Sequence, residues 1–256
     1  MKNILLYTAL ISFFFISSFG YGSIKKTSMV RQDYKRALDA GADAAAKHST
    51  YVSEENLDGL SYGFGEGYEN TNNIPVDKND SLDWFYKVFF RDIGIAENMT
   101  LQKQLKKYIP MKCIVEFDRL SIADQNDNWV IEKEFIIEYE GKEYLFTLSD
   151  QVKDLDTNTW LRDSDLGLDS EARKTLVCKL IKEEIENFIN YATTEKDKYY
   201  TLNLGLNDYD YRVNAINGSN VIVFVEGMPI PSLNVYNPVQ KLYAFALGGS
   251  EITRKQ

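Results

Sequence analysis

Residues 111–148, MKCIVEFDRLSIADQNDNWVIEKEFIIEYEGKEYLFTL, decide the fold class. Met111–Leu120, Trp129–Tyr139 and Glu143–Leu148 are rich in alternating or β-branched apolar residues, the pattern of strands with one face buried. Glu140-Gly141 supplies the turn of a hairpin between the last two. Asp124–Asn128 (DQNDN) opens like a calcium loop, but Trp129 stands where the sharp-turn Gly belongs and Phe135 where the closing Glu belongs. It reads as a hairpin loop, and three antiparallel strands are expected.

Helices flank this region. Upstream, a helix is expected from about Ser81 to Ile93, capped by Asn79 or Asp80 and ended by Gly94, with Leu82, Phe85, Phe89 and Ile93 on one face. Its WFYKVFF cluster is more aromatic than one stripe requires and fits a helix buried on two sides rather than an exposed docking surface. A shorter helix, Thr100–Tyr108, stops at Pro110. Downstream, an acidic loop from Asp150 to Asp169 precedes a helix over Ser170–Tyr191. Leu176, Val177, Leu180, Ile181, Ile185, Phe188 and Ile189 form its apolar stripe, while Lys182, Glu183, Glu186 and Asn187 face out. Arg173 and Lys174 near its start read as solvated cations. In the C-terminal part, Val213–Ile216 and Asn220–Val225 flank Asn217-Gly218, a two-residue hairpin turn. VIVFV reads as a strand covered on both faces, Pro229 and Pro231 as its end, and Lys241–Leu247 as a last strand. The order helix, strands, helix, strands predicts an α+β head with a mainly antiparallel sheet packed with helices.

Working outward to the start of the chain, residues 1–48 read as one long helix. Its apolar half, Ile4–Phe19, lies in an uncharged run, ILLYTALISFFFISSFGYG (4–22), and a helical stretch of roughly 17 to 20 residues just crosses a hydrocarbon core of about 30 Å. A cleaved secretory signal fits the same residues, with Ser18, Gly20 and Gly22 as the small residues of a cleavage site. The run outlasts a usual signal core, and the helical pattern resumes past the cleavage site, so a retained N-terminal transmembrane helix is expected. From Ser23 the helix continues as an amphipathic stalk. Val30, Tyr34, Leu38, Gly41 and Ala45 make one face to be covered, and Gln32, Arg36, Asp39, Asp43 and Lys47 line the other. Ala37, Gly41 and Ala45 form a small-xxx-small ladder that admits a second backbone closely. The covered face is either an interaction surface or the side that packs on the head. The expected organisation is an anchor or signal over 1–22, a stalk helix over 23–48, a linker over 49–78 and the head over 79–256.

An apolar helix that continues as an Ala-rich amphipathic helix and opens into an α+β head resembles pilin-like envelope proteins. RALDAGADAAAKHS, residues 36–49, is similar to the stretch after the membrane segment in small pilin-like proteins of tight-adherence pilus systems. The resemblance covers about the first fifth of the chain and implies surface assembly. Prepilins are typically cut after a Gly with a Glu a few residues on, whereas no Glu precedes Glu54 here.

Composition bounds the chemistry. A net charge of −9 argues against nucleic acid as a partner, since a phosphate backbone needs a basic surface. The two cysteines, Cys113 and Cys178, belong to no metal-type cluster and are either buried thiols or one disulfide. The one histidine, His48, lies at the end of the stalk helix, where a cation near a helix C-terminus is stabilising. Asp163, Asp165 and Asp169, around Gly167, are the candidate calcium ligands, although solvated loop carboxylates and a helix cap by Asp169 or Ser170 explain them as well. GFGEG (63–67) lacks the Lys and Ser/Thr of a P-loop and reads as linker. No catalytic motif or cofactor site is expected.

The leading expectation is a non-enzymatic, membrane-anchored bacterial envelope protein. Its head, expected to be extracytoplasmic, acts in surface assembly or protein–protein interaction. It is held in the membrane by residues 4–20 and meets a protein partner, or a second copy, through the stalk helix. Lys25, Lys26, Arg31, Lys35 and Arg36 outnumber Lys2 and the amino terminus, which by the positive-inside rule favours a cytoplasmic head. A short charged start before an apolar run is what export machinery recognises, and favours the other side. The alternative is a signal-cleaved secreted binding module or carboxylate-dependent hydrolase, whose mature chain starts near Tyr21 or Ser23.

Overall fold

The computed structural model describes residues 28–47, 77–192, 220–231 and 239–249. Their architecture is α+β, with helices and two antiparallel sheets. Helix α1 covers residues 28–47, followed by α2 (Lys78–Asp92) and α3 (Met99–Lys106). Seven strands come next: β1 (Met111–Val115), β2 (Arg119–Ala123), β3 (Trp129–Glu134), β4 (Ile136–Tyr139), β5 (Lys142–Phe146), β6 (Gln151–Asp154) and β7 (Thr159–Arg162). A short 3-10 helix, Asp163–Leu166, leads into α4 (Ser170–Ala192), and β8 (Asn220–Pro231) and β9 (Val239–Gly249) complete the described chain. One sheet runs β3-β2-β1-β8-β9 and the other β4-β5-β6-β7.

The five-stranded sheet is covered on both faces, and strand alternation decides which residue meets which cover. Ile114, Val221, Val223 and Val225 pack with α1 and α2, against Leu38, Ala42, Phe85 and Phe89. Cys113, Val115, Ile222 and Phe224 point the other way, into a second core shared with Val177, Ile181, Ile185 and Phe188 of α4 and with Phe146 and Val152 of the second sheet. VIVFV is thus covered on both faces, as its continuous apolar character predicts. The WFYKVFF helix is likewise buried widely, at Leu82, Phe85, Tyr86, Val88, Phe89 and Phe90.

Several boundaries differ from expectation, each for a local reason. Met111–Leu120 is not one strand. The chain reverses at residues 116–118, closed by the Glu116 N–H donating to the Arg119 carbonyl at 2.8 Å, and β2 pairs back on β1. Trp129–Tyr139 is broken at Phe135, which is fully buried between the two sheets. Its N–H donates to Asp118 of the first hairpin at 2.8 Å, and its carbonyl accepts from Phe146 of β5 at 2.9 Å. One residue therefore joins the two sheets. A bulge at Val130 shifts the β2–β3 register, so Trp129 packs in the helix-side core and Ile131 in the other.

The Glu140-Gly141 turn forms as expected, with φ of 50° and 78° at its two residues. The Asp150–Asp169 segment, by contrast, is not a loop. It holds the β6–β7 hairpin, whose turn is pinned by the Asp154 carboxylate accepting the N–H groups of Asp156 and Thr157. Helix α2 starts earlier than expected because Asp77, rather than Asn79 or Asp80, accepts the free N–H groups of the first turn, at 3.1 and 3.0 Å. Asn220–Ile222 is flanked by β1 on one side and β9 on the other. Val213–Ile216 and the Asn217-Gly218 turn lie outside the described residues. Pro229 and Pro231 do not end β8. Past a register shift at Gly227 (φ 65°) the strand pairs with β9 and no longer with β1, so prolines lacking an N–H are tolerated there.

Candidate functional site

The face of α1 marked out in the sequence is occupied by the chain's own head. Leu38 and Ala45 are fully buried, Val30 and Tyr34 are half-buried against the same core, and burial raises the Tyr34 phenol above its usual range. Gly41 lies over α2, where a Cβ would meet Phe85 at 3.0 Å. Gly248 of β9 lies against the α1 backbone so closely that a Cβ would be 2.0 Å from the Ala42 carbonyl carbon. Two polar ties hold the seat. The Asp43 carboxylate accepts from the Gly249 backbone, and the Arg31 guanidinium donates to the Lys241 carbonyl at 3.2 Å. At Gly41 the small-residue ladder thus admits a second backbone, that of Phe85 in α2 of the same chain, while β9 approaches at the adjoining Ala42 and Asp43. The helix expected as a stalk ahead of the head is, over residues 28–47, part of the head's core.

The most unusual polar group in the helix-side core is Lys112 of β1, whose side chain is fully buried. Its ammonium is 2.8 Å from Asp127 Oδ1 and also donates to the carbonyl of Asp124. Asp127 sits in the β2–β3 loop at φ 65° and also accepts from the Tyr86 hydroxyl at 2.6 Å and from Lys106 at 3.0 Å. Burial works to raise the Asp127 carboxyl, but the hydrogen bonds from Lys112 and Tyr86 outweigh it and hold it below the ordinary range. Burial pulls the Lys112 ammonium down while Asp127 supports its charge. Both oxygens of Asp127 are engaged, so this carboxylate is a staple of the loop onto β1, α2 and α3 rather than an idle base. DQNDN is therefore a hairpin loop, as read, and its fourth residue carries the ionic centre that sequence reasoning missed.

A second chain of polar groups lies on the same sheet face. The Ser121 hydroxyl donates to Glu116 at 2.8 Å, Lys78 donates to Ser121 at 3.3 Å, and Lys78 also pairs with Glu132. Burial pushes the Glu116 carboxyl up, whereas the hydrogen bond from Lys78 draws Glu132 down. Lys78 and Ser121 thus bridge a buried carboxylate, Glu116, to an exposed one, Glu132.

The candidate calcium ligands go to separate tasks. Asp163 is buried and pairs with Arg173 at 3.2 Å, the Asp165 carboxylate accepts the Arg162 N–H at 2.9 Å, and Asp169 caps α4 by accepting the Ala172 N–H at 2.7 Å. Among the described residues, no group of three or more His, Cys, Asp or Glu is arranged to hold a metal ion. Arg173 corrects the sequence reading: it is 6% exposed rather than solvated, because Asp163 reaches it from the 3-10 helix. Cys113 and Cys178 are both buried thiols not joined in a disulfide, and burial raises the Cys178 thiol to about 11, far from nucleophilic at neutral pH. His48 lies outside the described residues.

The protein is thus defined, at the level of class, as a two-sheet antiparallel α+β domain with an N-terminal helix seated on its five-stranded sheet. No protein-family model, curated protein or solved structure matches the chain. Among the described residues no helix is long and apolar enough to cross a membrane, and residues 1–22, where the anchor is expected, lie outside them.

Proposed function

We propose that this chain is a membrane-anchored bacterial envelope protein, pilin-like in layout, held by residues 4–20 and acting in surface assembly or protein–protein interaction rather than catalysis. The observation that supports it is the seating of α1. An uncharged apolar run ends eight residues before a helix that is built into the core of the domain. An anchor at that position would hold the head close to the bilayer rather than on a free tether. The head is extracytoplasmic in this reading. Contact with a partner or a second copy through α1 would use its outer side, Gln32, Arg36 and Lys47, since the inner side is filled.

A second reading, a signal-cleaved hydrolase using paired carboxylates, draws on the Lys78–Ser121 bridge that links Glu116 to Glu132. Mass spectrometry of the native protein's N-terminal peptide from washed membranes separates the two. A chain that begins at Met1 and stays with membranes is the expected result. One that begins near Tyr21 or Ser23 and is found in the medium sinks the anchor and turns attention to the Glu116 relay.

A further inference from the structure

Charge along this chain is lopsided. Lys2, Lys25, Lys26, Arg31, Lys35 and Arg36 lie in the first 36 positions against one acid, Asp33. Of the 29 basic and 38 acidic residues, 23 and 37 remain, so the other 220 residues carry −14 against +5 here. In the fold, the described part of this basic segment is the first turns of α1, where Ser28, Met29, Arg31, Gln32, Asp33 and Arg36 are all exposed. Arg31 ties that end to the Lys241 carbonyl of β9. Lys35 is paired with Asp39, and Arg36 lies 3.9 Å from Asp33 with both side chains largely in solvent.

We propose that this pole, Arg31 and Arg36, rests on anionic lipid headgroups. The inference rests on the anchored reading above and gives the head an orientation. Eight residues, 20–27, separate the end of the apolar run from α1 and span at most about 28 Å, so Arg31 is within reach of the surface. Electrostatics then decides the pose. At physiological salt, interactions fade beyond about 8 Å, so the acidic body is screened once it stands away from the bilayer, and only the basic pole gains by contact. A head lying on its acidic side would be repelled.

The test uses the full chain reconstituted in nanodiscs of phosphatidylcholine alone or with one part in three of phosphatidylglycerol. A fluorophore is placed at Met29→Cys or, about 27 Å further along the helix, at Lys47→Cys, and quenchers are carried on the headgroups. Quenching at position 29, but not 47, should rise with the anionic lipid and fall back in high salt. Arg31→Glu with Arg36→Glu should cut that rise at least about fivefold, the equivalent of roughly 1 kcal/mol. Quenching at position 29 that ignores both lipid charge and salt overturns the proposal with the anchor intact, whichever way the variant behaves. Protein absent from discs of either composition removes the anchor and this inference with it.

Discussion

Lys112 is an expensive residue to bury, and its surroundings show how the cost is met. A fully buried ammonium is tolerated because Asp127 lies 2.8 Å away and backbone carbonyls take its other protons. Asp127→Asn keeps the left-handed backbone, which Asn also adopts, but removes the counter-charge. It should cost about 3–5 kcal/mol in urea melts, and adding Lys112→Met should recover most of that loss. The pH dependence has a fixed sign. Because the Asp127 carboxyl is held below its unfolded value, its contribution is present above about pH 4 and is lost as the pH falls through the folded value. The double variant should lose less stability over that acid limb than the native chain. None of this was legible in MKCIVEFD, where Lys112 looks like the solvent side of an ordinary alternating strand. Its partner lies fifteen residues away in a loop whose conformation depends on Asn128 and Asp124.

At the level of elements, the seat of α1 is set by what is missing. Gly248 supplies no Cβ, and the helix backbone fills the space one would take. Gly248→Ala should destabilise by about 1–3 kcal/mol or more, since backbone cannot step aside as a flexible side chain can. Gly141→Asn is the control, because that turn glycine has φ 78° but nothing within 4 Å, and Asn tolerates the left-handed region. Its change should stay within about 0.5 kcal/mol. The amphipathic face of α1 was legible from spacing alone, as were the α4 stripe, the long aromatic helix and the Glu140-Gly141 turn. The identity of the partner was not, since a ladder of small residues accepts any backbone equally. The breaks at Phe117 and Phe135 were also hidden. Alternation carries no mark of where a strand passes from one sheet to another, and Phe135 is as apolar as the strand residues around it.

For the whole molecule, the consequence is that the folding unit starts before the expected head. Leu38, Ala42, Ala45 and Ala46 are fully buried with Phe85 and Phe89, so a chain cut after residue 48 exposes the helix-side core. Removing residues 1–22 should leave the urea midpoint unchanged, whereas removing 1–48 should leave a chain that aggregates or unfolds without a cooperative transition. A 49–256 fragment melting at the native midpoint would show that α1 adds nothing to the core. The sequence alone determined the α+β class, the antiparallel pairing and the amphipathic phase of most helices. These depend on local periodicity, which a linear chain displays. Only the tertiary structure decided that the expected stalk is a core helix, that Arg173 and Lys112 are buried on specific carboxylates, and that one buried phenylalanine joins two sheets. Each of those depends on residues distant in the chain meeting at a distance of a few ångströms, and no periodicity records that.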